Sequence, residues 1–496
     1  MSDWKQPQDR TEFLGHPIGL FVLFFTELWE RFSFYGMRAL LVLYMTKQLL
    51  FTDEMSYGIY GAYGSLVYAT PIIGGLLADR FLGFKRAIVF GSVLMVLGHF
   101  AMAFDQSSLQ WLLGAMAEPA GDNALLIEIG ASSFTLDTTW FLYAALALLI
   151  LGNGFFKPNI SSLVGRLYDD ADASAAKRDG GFTIFYMGIN LGAFLAPLAC
   201  GIVGETYGWH WGFGLAGVGM TLGLILFLGF ERFLYGNGEP EKPEKLEKFV
   251  LPGVKLEHAI YMATFAAVPL VALVVTADGA MRAILLTLGI VVLIGMLVVA
   301  FCSEKVQRDR LFVILVLIFF STTFWAFFEQ AGSSLTLYAE RNVNRFVFGW
   351  EVPASLFQSV NPAYIILLAP IFAWMWQRLQ KAGLEPSTPV KFGLSLLQLS
   401  LGFVVLVWGA SMADAAGTVP MFFLMAGYLL HTTGELSMSP VGLSKVTQLA
   451  PKKIVGVVMG AWFLSSSFAH YIAAIFAKLA SPDDGVDINT LSALET

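Results

Sequence analysis

Thirteen separate stretches of this chain are each long and apolar enough to cross a lipid bilayer, and that repetition leaves few folds open. A hydrocarbon core of roughly 30 Å needs about 20 helical residues, and stretches of that kind begin near Pro17, Tyr57, Ala87, Thr139, Phe182, Trp211, His258, Met281, Leu311, Ala354, Pro389, Val419 and Ile454. Lipid offers no partner for a backbone amide, so runs of this length are read as helices, which bond their own backbone. Composition agrees: 56% of residues are hydrophobic and 14% charged, against about 25% charged in an ordinary soluble domain. Mean hydropathy is +0.68. The fold class is an all-α integral membrane protein.

Charge fixes the expected topology. With the N-terminus in the cytoplasm, 22 Lys and Arg fall on the inside, 5 on the outside and 3 (Arg31, Arg38, Lys157) in the membrane, out of 30. That is the bias expected of cytoplasmic loops, and it puts the C-terminal tail outside. The first apolar stretch is too long and too charged for a cleaved signal peptide. A net charge of -7 without a basic, aromatic-rich soluble segment excludes nucleic acid as a partner. Cys200 and Cys302 are lone thiols, and no metal site or cofactor motif is present in the sequence.

The charged, Pro-containing stretch from Arg232 to Glu257 and the shorter one from Ser303 to Arg310 divide the chain. They mark an N-terminal six-helix bundle (1–231), cytoplasmic linkers carrying two extra transmembrane helices (232–310), and a C-terminal bundle of five recognisable helices with a polar tail (311–496). Six plus two plus five reads as a six-plus-six transporter with an inserted helical pair and its last core helix absent. The acidic loop from Asp105 to Thr138, with one apolar run at Leu109 to Met116, carries no readable motif and is taken as decoration.

Ionisable groups inside the spans carry the function. Glu27, Glu30 and Arg31 lie within one turn, and each costs roughly 2.5–3.5 kcal/mol to insert, so such groups are kept for a purpose. At about 1.5 Å per residue Glu27 and Glu30 lie some 15–20 Å into the first span, near the midplane. Arg38 and Glu329 fall in the outer half, Lys157 and Glu435 in the inner half. Each couple joins one six-span unit to the other, as the two gates of alternating access require. Glu27, Glu30, Arg31, Phe34 and Arg38 share about 100° of arc on the first helix, which therefore faces a polar cavity. Four carboxylates against three cations leave one negative charge for a bound proton to balance.

These residues resemble the proton-dependent oligopeptide transporter family of the major facilitator superfamily. ELWERFSFYGMRALL (Glu27 to Leu41) is similar to its E-x-x-E-R-F signature, and GGLLADRFLGFKR (Gly74 to Arg86) to the superfamily's loop motif. GNGFFKPNISSLVG (Gly152 to Gly165) and FYMGINLGAF (Phe185 to Phe194) are similar to its fourth and fifth helices. FWAFFEQ (Phe324 to Gln330), FQSVNP (Phe357 to Pro362) and GELSMSPVGLS (Gly434 to Ser444) have counterparts in the second half.

The resemblance implies a major facilitator fold and proton-coupled import of di- and tripeptides. Implied proton-coupling residues are Glu27, Glu30, Arg31 and Lys157. Arg31, Lys157 and Tyr35 would receive the peptide carboxylate, and Glu435, Asn190 and Asn361 the ammonium. Tyr68, Trp325 and Trp462 would line side-chain pockets, and Arg38, Glu329, Lys157 and Glu435 would serve as gates. Phe34 stands where family members often have Tyr. Expected partners are peptides, protons and the bilayer, in a monomer of the bacterial inner membrane. A same-fold proton-coupled carrier of another small anionic or zwitterionic solute is the alternative. A membrane-embedded enzyme would need a nucleophile and base, or clustered ligands, within the spans, and none is present in the sequence.

Overall fold

All thirteen apolar stretches are helices in the computed structural model, which describes residues 11–130, 132–169, 174–415, 417–451 and 454–481. In chain order the helices are α1 (Ile18–Lys47), α2 (Asp53–Ala69), α3 (Gly83–Ala101), the short α4 (Gln106–Leu113), α5 (Thr139–Asp169), α6 (Ala175–Ala196) and α7 (Trp209–Phe230). Then follow α8 (Leu256–Thr276), α9 (Asp278–Phe301), α10 (Lys305–Phe328), the short α11 (Ser334–Asn342), α12 (Val360–Lys381), α13 (Thr388–Ala410), α14 (Met421–Leu449) and α15 (Val455–Leu479). The second span continues past α2 through Pro71–Leu77 and a π-turn at Ala78–Leu82, inside the loop motif. Ten helical stretches among the described residues meet the length and hydropathy of a span, one of them, Asp53–Ala101, holding two. α1, which carries Glu27, Glu30, Arg31 and Arg38, and α14, which carries His431 and Glu435, are not among the ten. The polar tail expected after α15 lies largely outside the described residues, as does Ser444's side chain.

Large apolar side chains of α9, among them Leu286, Val291, Leu293 and Val298, point away from the protein. An apolar surface of that kind on a helix of span length fits contact with lipid.

Two compact units emerge from the packing. The first is Met1–Leu40 with Ala69–Thr276, the second Leu41–Tyr68 with Ala277–Thr496. In the first, α3 packs on α5 and α7, and α8 lies on α5. Pro158 inside α5 removes one backbone donor, freeing the carbonyl a turn earlier. The linker folds back onto this unit rather than spanning free. Lys85 Nζ bonds Glu231 at 3.0 Å and Glu239 at 3.2 Å, and Arg86 Nη1 bonds Glu257 at 3.1 Å.

The loop after α3 is a small folded body. Asp105 caps α4 through a reciprocal pair of bonds with Ser108. A three-stranded antiparallel meander follows: β1 (Ala117–Pro119), β2 (Ala124–Ile129) and β3 (Ser132–Asp137), with Leu125 opposite Leu136. Leu109, Ala117, Leu125 and Ile127 form its own core.

In the second unit the core draws on five helices: Met296 and Ala300 of α9, Leu311 and Phe324 of α10, Phe392 of α13, Met438 of α14, and Val458 and Trp462 of α15. The end of α1 and α2 as far as Tyr68 belong to this unit. They are tied to α11 by ion pairs: Arg341 grips Asp53 with two bonds of 2.6 and 2.8 Å, and Lys47 bonds Glu340 at 2.5 Å. Arg345 extends the network to Glu340 (3.0 Å) and Glu351 (2.9 Å).

Candidate functional site

In the first unit the sequence's charged cluster is a single buried network. Glu27 and Glu30 are fully buried and Arg31 is 3% exposed. Arg31 forks onto Glu30, with Nη2 2.5 Å from Oε1 and Nε on Oε2, the bidentate geometry a guanidinium favours. Its Nε also lies 3.4 Å from Glu27 Oε1. Lys157 of α5 reaches the same Glu27 oxygen at 3.4 Å, and Asn153, one turn earlier, donates to Glu30 Oε1 at 3.3 Å. Two carboxylates thus face two cations. Glu27 Oε2 is buried with no hydrogen-bond partner.

Helical spacing explains the convergence. Glu27 and Arg31 are four apart, and Asn153 and Lys157 four apart on the helix opposite, so one turn of each presents both groups to the same space. α6 comes close enough to hold Arg31 in place. A Cβ on Gly192 would lie 2.4 Å from the Leu28 carbonyl oxygen and 3.0 Å from Arg31 Cβ. Only glycine fits there.

The Arg31 guanidinium lies over the Phe34 ring, 4.9 Å from its centroid. Phe34 gives the cation a π-face without the hydroxyl that a tyrosine would add. Arg38 lies 5.8 Å from the Tyr35 ring centroid. Asn190 is buried and donates to the Tyr186 carbonyl of its own helix at 3.2 Å.

The second unit holds the remaining expected residues. Asn361 of α12 donates to Glu435 Oε2 at 2.9 Å and to Thr432 Oγ1 at 3.0 Å. Thr432 lies one turn before Glu435 on α14, so the amide is shared by one helix face. Glu329 begins the 3-10 turn Glu329–Gly332 that ends α10. It is 5% exposed, and His470 Nδ1 lies 3.8 Å from its Oε2. Tyr68 stacks on His470 with ring centroids 5.0 Å apart. Trp462 is part of the apolar core and Trp325 packs against it, edge-on to Phe324 and Phe328. Among the described residues no group of His, Cys, Asp and Glu could hold a metal ion.

Buried acid–base groups on many membrane-spanning helices describe a carrier, and comparison with known proteins decides which kind. The model of the POT family matches residues 85–490. The chain belongs to the POT family. The peptide transporter YePEPT of Yersinia enterocolitica subsp. palearctica is 36% identical, the match covering 96% of this chain and 90% of that one. A di-/tripeptide transporter of Lactococcus lactis subsp. cremoris is 35% identical, over 95% and 91%. A crystal structure of a variant peptide transporter POT in complex with alafosfalin superposes with a TM-score of 0.77 at 38% identity, covering 95% of this chain and 90% of that chain. This POT-family chain is a multi-pass membrane transporter of the major facilitator fold and not an enzyme.

Sequence reasoning missed Asn153 in the first unit and Thr432 in the second. Asn153 stands in the GNGFFKPN motif, one turn before Lys157, and that spacing was a usable signal. Thr432 had none, because its partner Asn361 comes from another helix.

Proposed function

We propose that this chain imports di- and tripeptides together with protons by alternating access. Glu27 carries the reading: a fully buried carboxylate, shared by Arg31 and Lys157, whose second oxygen has no hydrogen-bond partner. An unsatisfied buried carboxylate oxygen is costly, and a proton relieves that cost directly. Once Glu27 is neutral, Arg31 and Lys157 lose a competing anion and are available to the carboxylate of a peptide. Lys157 is the readier of the two, its side chain being 32% exposed where that of Arg31 is 4% exposed and forked onto Glu30.

The other assignments follow the chemistry of a zwitterion. Tyr35 joins Arg31 and Lys157 on the carboxylate, and Glu435 takes the ammonium with Asn361 and Asn190. Tyr68, Trp325 and Trp462 supply tolerant aromatic walls for varied side chains. Glu30 holds Arg31 in position and shares in proton coupling. Arg38 with Glu329, and Lys157 with Glu435, form and break in alternation as gates. The protein works as a monomer in the bacterial inner membrane, with its N-terminus in the cytoplasm.

The test is uptake of labelled dialanine into proteoliposomes. Counterflow should occur without a gradient, and accumulation above equilibrium only with the lumen alkaline. Absence of dialanine counterflow, or accumulation indifferent to the gradient, overturns the proposal.

A further inference from the structure

The linker between α7 and α8 ends in a small hairpin whose tip is apolar and exposed. Phe249–Leu251 pairs antiparallel with Val254–Lys255, the turn being made by Pro252 and by Gly253 at a φ of +81°. Phe249 is 66% exposed, Val250 49% and Leu251 61%. Three consecutive large apolar side chains at that exposure mark a contact surface.

Position and charge together say what it meets. Leu256, the next residue, begins α8, and its amide bonds the Lys248 carbonyl at 2.9 Å. The hairpin is thus fastened to the first turn of a helix of span length, where hydrocarbon gives way to headgroups. Further along α8, Met262 and Phe265 are exposed as well. From Lys242 to Lys255 the chain carries four lysines (Lys242, Lys245, Lys248 and Lys255) against two glutamates (Glu244 and Glu247). Flanking acids are already engaged: Glu231 and Glu239 by Lys85, Glu257 by Arg86. Phe249 stands opposite Lys255 in the ladder, and cross-strand partners share a face.

The geometry points to a membrane-docking hairpin. Phe249, Val250 and Leu251 enter the acyl chains of the adjacent leaflet, while Lys248 and Lys255 bind the phosphates of anionic phospholipids. Lysine suits the second task because its long stem tolerates apolar surroundings with the ammonium at headgroup level. Apolar insertion and attraction to anionic lipid are the two forces that seat interfacial elements. Anionic lipid thereby fastens the linker at a second point, beyond its bonds to Lys85 and Arg86.

Depth measurement by EPR tests this on the full-length protein, with Cys200 and Cys302 replaced by serine and a nitroxide at Val250→Cys. Nanodiscs are made of phosphatidylcholine alone or with phosphatidylglycerol. The label should collide with oxygen, which concentrates in hydrocarbon, and be shielded from a water-soluble nickel chelate, far more completely when phosphatidylglycerol is present. A control label at Asp122→Cys, in the meander, should stay open to the chelate in both. Each lysine at an anionic surface multiplies the bound population about fivefold, so Lys248→Gln with Lys255→Gln should lower the ratio of immersed to free tips about thirtyfold. Should Val250→Cys not fold, Leu251→Cys carries the label instead. A tip open to the chelate in both lipids, one shielded from chelate and oxygen alike as in a protein contact, or immersion indifferent to phosphatidylglycerol overturns the proposal. Transport plays no part in the measurement, so its result is independent of the function proposed above.

Discussion

The two-pronged bond between Arg341 and Asp53 should act as a measurable latch. The side chains are 25% and 9% exposed, so the pair is only partly screened by water. At an effective dielectric of about 20, unit charges about 4 Å apart attract by about 4 kcal/mol. Desolvation of both groups offsets part of that, leaving about 2 kcal/mol, within the range of charged hydrogen bonds. If the latch forms only when the outer side is shut, losing it multiplies the open-to-shut ratio about 30-fold, turning about 99:1 into about 3:1. Pulsed EPR can read this ratio. With Cys200 and Cys302 replaced by serine, spin labels at Leu50 and Phe346, both 65% exposed, report the separation of the α1–α2 loop from the segment after α11. Asp53→Asn and Arg341→Gln should each add a long-distance population, and the double variant should be no worse than the poorer single. Unchanged distances in both singles, or additive losses in the double variant, would refute the reasoning.

Glu27→Gln should abolish gradient-driven accumulation of dialanine yet leave counterflow measurable; concentrative uptake at the native level would contradict it. Exchanging charges, Arg38→Glu with Glu329→Arg, should restore part of the uptake that either change alone removes, and an inactive double variant with active singles argues against that gate. Glu435→Gln should weaken binding of free dipeptides by about a hundredfold or more while sparing N-acetylated ones, since an unpaired buried charge typically costs about 3–5 kcal/mol. Equal losses for both ligands in a binding titration would show that Glu435 does not meet the ammonium.

The helices and the chemistry of α1 were legible in the sequence because both depend on local periodicity. Hydropathy finds spans one at a time, and four charges on one face of an apolar helix are visible without a partner. Partners are another matter. Asn361 and Glu435 are 74 residues apart, and only tertiary packing brings an amide to that carboxylate. The folding of α2 with α11 and α15 was likewise invisible, since a sequence pattern says which face of a helix is small or polar and not which helix will meet it. The meander after α3 escaped for a third reason. Ala124–Ile129 reads ALLIEI, too continuously apolar for a half-buried strand, and its alternation is revealed only by Leu125 and Ile127 turning inward onto Leu109.

That meander gives a carrier of 54.2 kDa a folded landmark with a core of its own, outside the membrane-spanning helices. Its strands are bonded to one another in register and its tight turn at Gly121–Asn123 is held by a bond from Gln106 to the Gly121 carbonyl, so an antibody fragment raised against it would be presented at a fixed angle to α3 and α5. Particle images could then be aligned on the fragment while the helices are caught in their different arrangements, and because none of Glu27, Lys157, Glu329 or Glu435 lies in the meander, such a fragment should label the transporter without stopping it.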